Sequence, residues 1–207
     1  MILAVDTSLG SAVAIVDGDG ALVSDASSPD PLGHAEVIGD LLASALDEAG
    51  GGEIAHVVAG MGPGPFTGLR IGIATARAFA LGRGIDVIPV PSHLAPALTE
   101  IERNGAEGRF AVVTDARRRE VAVTVFEGLD ADGIPNVVAG TVLVPRADAE
   151  AHLDGVRAVE VAVLDAASLA RVGRRAVGAG RVLAGQEPLY LRQPDVTMPG
   201  APKKVSA

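Results

Sequence analysis

The sequence predicts an α/β protein built from two related halves, and three observations point there. Short apolar runs of strand length alternate with stretches of helical periodicity. The first half opens on strands joined by tight polar turns before any helix begins. After Asn104-Gly105-Ala106-Glu107-Gly108 the pattern restarts, so both halves read approximately as βββαβα.

Ile2-Leu3-Ala4-Val5 is the first strand and runs into the polar triplet Asp6-Thr7-Ser8. Leu9-Gly10 turns the chain into a second strand, Ser11–Val16. Asp17-Gly18-Asp19-Gly20 is a hairpin signal, and Ala21–Ser24 is the third strand. Residues 34–49 predict a helix, because Val37, Ile38, Leu41, Leu42, Ala45, Leu46 and Ala49 form one apolar stripe that Gly50-Gly51-Gly52 stops. Ile54–Ala59 is a buried strand. A helix over 67–82 is rich in small residues (Ala74, Ala76, Ala78, Ala80), Asp86–Val90 is a strand, and Ser92 caps a helix reaching Arg103.

In the second half, strands are expected at 110–114, 121–126, 137–144 and near 159–164, with a polar turn at 115–119 and helices at 147–153 and 166–177. The organisation that follows is an N-terminal unit of residues 1–103, a smaller unit of 104–194, and a flexible proline-rich tail of 195–207.

Composition removes several function classes. Residues 1–100 carry 3 Arg, the first being Arg70, against 12 Asp and Glu, whereas 101–207 balance 14 Lys and Arg with 14 acids; the net charge of −9 thus belongs to the first half. An acidic half repels a phosphate backbone, and Phe66, Phe79, Phe110, Phe126 and Tyr190 are too few for a stacking platform. Direct nucleic-acid binding by this chain is therefore not expected. Cysteine is absent, which excludes thiol catalysis and thiolate metal sites. No basic residue lies near Met1 and no apolar run is long enough to span a bilayer, so the expected address is cytoplasmic, without membrane contact.

The most informative motif is the loop Gly60–Arg70, which follows a strand and opens a helix as phosphate-binding loops do. Gly62-x-Gly64-x-x-x-Gly68 resembles a dinucleotide fingerprint, with Asp86 roughly where a ribose-binding acid sits. Its spacing is one residue too long, and Pro63 and Pro65 delete two backbone donors; a stiff loop that aims a helix is the other reading. No Lys follows the last glycine, so it is not a P-loop. Asp6, Thr7, Ser8 and Asp115 are candidates for holding a phosphate or metal-bound water at strand ends, and Arg117-Arg118-Arg119 reads as a solvated turn. His34, His56, His93 and His152 have no partner at helical spacing, so no metal site is expected. No Gly-x-Ser-x-Gly elbow appears, and no catalytic residue is assigned.

Four segments carry a family resemblance: Ile2–Ser8; the loop Gly62-Pro63-Gly64-Pro65-Phe66-Thr67-Gly68-Leu69-Arg70-Ile71-Gly72; Asp115-Ala116-Arg117-Arg118-Arg119-Glu120-Val121; and Pro188-Leu189-Tyr190-Leu191-Arg192. In this order they resemble the TsaB (YeaZ) family of tRNA threonylcarbamoyladenosine biosynthesis. Pro65 stands where Ser is common in that family, and Arg119 where Gly is common. The resemblance implies two subdomains of the actin, sugar-kinase and heat-shock-ATPase (ASKHA) fold, each a mixed sheet flanked by helices. It implies a scaffold without protease activity that supports the TsaD transferase acting on adenosine 37 of tRNA, with the ATPase TsaE in the same assembly.

TsaD would be a heterodimer partner, a second copy would take its place when the chain is alone, and tRNA would be reached through the complex. The isolated chain would need no cofactor, with ATP or ADP confined to the assembled complex. Interface candidates on the first two helices are Leu41, Leu42, Ala45, Ala74, Ala78 and Leu81, while Gly62, Pro63, Gly64, Phe66, Thr67, Gly68 and Arg70 form a structural loop. The alternatives are a nucleotide-dependent kinase or ATPase of the same fold and a dinucleotide enzyme using the 62–68 loop.

Overall fold

A computed structural model describes residues 1–192, so the tail expected at 195–207 lies outside the described residues. Two sheets form the frame. The first has strand order β3-β2-β1-β4-β5, from β1 (Ile2–Asp6), β2 (Ser11–Val16), β3 (Leu22–Ser28), β4 (His56–Gly60) and β5 (Val87–Val90). The second has order β8-β7-β6-β9, from β6 (Arg109–Asp115), β7 (Glu120–Leu129), β8 (Pro135–Pro145) and β9 (Arg157–Val161). In each, the opening strand pairs antiparallel with its hairpin partner and parallel with a later strand, β1 with β2 and β4, β6 with β7 and β9. Both sheets are therefore mixed, and the recurrence expected from sequence is a recurrence of topology.

Helices α1 (His34–Glu48), α2 (Phe66–Arg83), α3 (Leu94–Asn104), α4 (Ala149–Leu153) and α5 (Ala166–Gly178) fill the layers between and outside the sheets. Strand alternation shows how. Leu3, Val5, Val13, Ile15, Val57 and Ala59 face a core closed by α1 and α2, whereas Ile2, Ala4, Ala12, Ala14, Val16 and Val58 face the opposite core. That second core holds α3 and α5 and continues into Phe110, Val112 and Phe126 on the inner face of the second sheet. Ala111, Val113, Val121, Val123 and Val144 point outward to a smaller cluster under α4.

Helix α5 follows the second sheet in sequence but packs on β1 and β2 of the first. It approaches closely because of Gly173: a β-carbon there would fall 2.3 Å from Val58 Cγ2. Arg171 Nε donates to Gly20 O at 3.0 Å, tying the helix to the β2–β3 hairpin.

Most predicted elements fall within two residues of those observed, with four corrections. The third strand runs on to Ser28, β7 runs on to Leu129 rather than ending at 126, and β9 ends at Val161 rather than at 164. Ser92 does not cap α3: His93 occupies the cap position, with no side-chain cap bond, and the Ser92 hydroxyl points into the first sheet instead.

Candidate functional site

The turn after β1 and the glycine-rich loop before α2 meet at the end of the first sheet. Asp6 is buried and its carboxylate accepts three hydrogen bonds: from Ser8 N at 2.7 Å, Ser8 Oγ at 2.5 Å and Ser92 Oγ at 2.5 Å. Burial raises the Asp6 carboxyl above its ordinary value, and the hydrogen bonds from Ser8 and Ser92 oppose that shift. Room for the carboxylate comes from Gly60, where a β-carbon would stand 1.7 Å from Asp6 Oδ2. Thr7 Oγ1 donates to Gly68 O at 2.6 Å and accepts from Gly72 N at 3.1 Å, which pins the first turn of α2 to the end of β1. Asp6, Thr7 and Ser8, candidates for holding a phosphate or a metal-bound water, are buried and hydrogen-bonded within the chain.

This geometry explains the glycine spacing. Gly64 lies against Ser8, and Gly68 against Thr7 O and His34, so these glycines admit the chain's own β1 turn rather than a pyrophosphate. The loop residues have structural work. Arg70 places its guanidinium 3.8 Å from the Phe66 ring centroid and donates from Nε to Tyr190 Oη at 2.9 Å; Phe66 stacks on Tyr190 at 4.8 Å. Leu189 N donates to Met61 O at 2.7 Å. Two motifs far apart in sequence, Phe66-x-x-x-Arg70 and Pro188–Arg192, therefore lock into one clasp beside the loop.

A cleft of about 630 Å³ opens between this clasp and the β6–β7 hairpin, lined among others by His34, Thr67, Thr114 and Arg117. Asp115 lies at its edge, paired with Arg146 at 2.6 Å and accepting from Arg117 N at 3.3 Å. Arg117, Arg118 and Arg119 all have positive φ, at 60°, 53° and 64°, a left-handed run that the polar-turn reading did not anticipate. Sequence reasoning also set aside two histidines that the structure places centrally. His93 is buried, with Nδ1 2.7 Å from Thr124 Oγ1 and Nε2 2.9 Å from Thr114 Oγ1, and burial lowers its pKa to about 3. His34 is 4% exposed and its Nδ1 lies 2.9 Å from Ser11 Oγ. A histidine flanked by Ser at the start of a buried helix would have been the available signal for His93.

The interface candidates divide. Ala74, Ala78 and Leu81 sit on the exposed face of α2, Leu81 with 84% of its surface free. Leu41 and Leu42 are half-buried against the core under α1. Ala45 is wholly buried in the core under α1, on a helix that packs on β2 and β3, and its carbonyl accepts from Ser24 Oγ at 2.7 Å; its side chain is not available to a partner, which corrects its place among the candidates. Among the described residues, no cluster of three or more His, Asp or Glu side chains is placed to hold a metal ion. No described helix is long and apolar enough to cross a membrane.

A family model described as TsaD, tRNA N6-adenosine threonylcarbamoyltransferase, matches residues 32–139, just over half of the chain. An uncharacterized protein of Mycobacterium tuberculosis is 34% identical over 205 residues, covering 94% of this chain and 92% of its own length. The tRNA threonylcarbamoyladenosine biosynthesis protein TsaB of Escherichia coli is 34% identical over 122 residues, covering 58% of this chain and 52% of that protein. The solved structure of YeaZ from Pseudomonas aeruginosa superposes with a TM-score of 0.74 at 24% identity, across 92% of this chain and 99% of that one, and so shares the fold. With paired mixed sheets, a clasped Gly-Pro-Gly loop and similarity along nearly its whole length, the chain belongs to the TsaB (YeaZ) family.

Proposed function

We propose that this chain is the non-catalytic partner subunit of the machinery that forms N6-threonylcarbamoyladenosine at position 37 of tRNA, where it supports a TsaD-type transferase. The observation that carries the reading is the exposed stripe on α2. Ala74, Ala78 and Leu81 recur at i, i+4 and i+7 on one face, next to α1, with small side chains that let a second helix approach closely. An isolated Leu with 84% of its surface in water is unremarkable alone, but two flanking alanines make a flat docking seat.

The fate of the glycine loop supports a role without chemistry of its own. Its close-approach positions are filled by Thr7, Ser8 and His34, and Asp6 is consumed by Ser8 and Ser92. TsaE and a second copy of this chain are the further partners of the reading, with tRNA held mainly by the transferase and ATP or ADP bound only in the assembled complex. The acidic first half, free of basic residues before Arg70, fits that division.

Size-exclusion chromatography with TsaD from the same organism tests it. The unaltered chain is expected to co-elute with TsaD, while Ala78→Arg and Leu81→Arg keep the fold by circular dichroism and lose co-elution. Folded variants that still co-elute would remove α2 from the interface, and an unaltered chain that never pairs would remove the scaffold role. Calorimetric binding of magnesium ATP with turnover by the isolated chain would instead favour a kinase or ATPase.

A further inference from the structure

We infer that segment 181–192 is a strap that makes the outer face of α2 fit to be covered, by supplying the hydrogen-bond acceptors that the arginines of that face require once water is excluded. The inference rests on the reading of α2 as the seat of the transferase. Within that reading, it gives Tyr190 and the Gln186 carbonyl a positioning role in partner binding.

The outer face of α2 is not purely apolar. Arg70, Ala74, Arg77 and Leu81 recur at steps of four, three and four residues, and all four are exposed, so they form one row along the helix. Ala74 and Leu81 belong to the docking stripe, and the two arginines alternate with them. A helix seated on the stripe therefore covers two guanidiniums as well. Helix α2 contains no Asp or Glu that could pair with them. A guanidinium taken out of water without an acceptor opposes binding strongly.

The strap provides both acceptors. Arg77 Nη2 donates to Gln186 O, and Arg70 Nε donates to Tyr190 Oη at 2.9 Å, across 109 and 120 positions of sequence respectively. The Arg70 guanidinium also lies 3.8 Å from the Phe66 ring centroid, and Phe66 stacks on Tyr190. The pairing order is reversed, 70 with 190 and 77 with 186, so the strap runs antiparallel to the helix. The lengths agree: seven helical residues rise about 10 Å and four extended residues reach up to about 14 Å.

Both ends of the strap are fixed to the second sheet. Arg181 bonds Asp130 and Asp132 in the β7–β8 turn, and Arg192 pairs with Glu120 where β7 begins. Residues 181–192 contain no helix or strand, and Gly185, Gln186 and Glu187 between the anchors are exposed. Such a segment sits at the low-stability end of a fold, because its contacts are few and wet. Excluding water from the row strengthens the two arginine bonds. Docking on α2 and order in the strap are thus coupled: a seated partner tightens the strap, and a loosened strap weakens the partner's hold.

The test combines affinity with amide exchange, using the full chain and TsaD from the same organism. Docking is expected to slow exchange at 184–192 by about fivefold or more. Tyr190→Ala, which leaves the stripe itself intact, is expected to weaken pairing by about tenfold. Adding Arg70→Met to Tyr190→Ala should recover most of that loss, since the guanidinium left without its acceptor is gone; damage that was only structural would deepen instead. Unchanged pairing in folded Tyr190→Ala, no recovery in the double variant, or exchange at 184–192 that docking leaves unaltered would each overturn the inference and leave α2 as the seat. If Tyr190→Ala does not fold, the exchange of the unaltered pair decides. An unaltered chain that never pairs overturns the reading of α2 and this inference with it.

Discussion

The two sheets share a strand pattern yet are sealed to different depths. In the first, β1 and β2 are buried along their whole length, with α1 and α2 on one face and α3 and α5 on the other. In the second, the inner face shares the α3 and α5 core, but β8 is mostly exposed and the outer face is covered by little more than Arg146–Leu153. Their buried polar groups differ as well: Asp6 anchors the first sheet and His93 the second, through neighbouring residues, since Ser92 reaches Asp6 and His93 reaches Thr114 and Thr124. The same topology can therefore serve as a stability core on one side and as a lightly covered wing on the other.

The largest effect expected from this contrast comes from side-chain truncation. Ile15→Ala in the sealed sheet should lower unfolding free energy by about 2–5 kcal/mol, while Val142→Ala on the open face of β8 should change it by no more than about 0.5 kcal/mol, both read by urea denaturation. Comparable losses would erase the distinction between the sheets.

Acid sensitivity should separate the two polar groups next. With His93 held near pKa 3 in the fold and about 6.5 when unfolded, the unfolded chain binds more protons between those values, so stability falls as pH falls through that window. The slope from this group is about 1.4 kcal/mol per pH unit below 6.5. Asp6 acts with the opposite sign: its raised pKa means the folded chain binds more protons just above pH 3.8, so its contribution declines as pH rises through its folded value. Urea midpoints at pH 7, 5.5 and 4.5 should show a steeper acid loss in the unaltered chain than in His93→Gln; parallel curves would mean that His93 is not the acid-sensitive group.

The smallest expected effect is at the clasp. Arg70→Met deletes the guanidinium over Phe66 and its bond to Tyr190, and should cost about 1 kcal/mol while raising amide exchange at 188–192. Unchanged exchange there would show that the segment is held by the Leu189–Met61 backbone bond alone.

The sequence made much of this legible, for physical reasons. Strand alternation and the apolar stripe of α1 are local patterns, so they located strands and the 15-residue α1 without tertiary information. The Gly-Pro-Gly loop was visible as punctuation, but its partners were not, because Thr7, Ser8 and Tyr190 reach it across 50 to 120 residues. Ser92 looked like a cap since local rules favour Ser there, yet the buried Asp6 carboxylate outbid the helix end for its hydroxyl. His34 and His93 gave no spacing signal at all, because their partners are single hydroxyls on other elements. The same limit hid Ala45: a helical stripe names the apolar positions without saying which of them face inward.

Helix α5 has a consequence for how the molecule is made. Ala4, Ala14 and Val58 are covered by a helix that begins at Ala166, and Gly173 is shaped to meet Val58. During synthesis, the first hundred residues emerge with one apolar side of their sheet still bare, and its lid leaves the ribosome only after all four strands of the second sheet. The first sheet is thus finished by a helix that follows the second, so these two parts mature together rather than half by half.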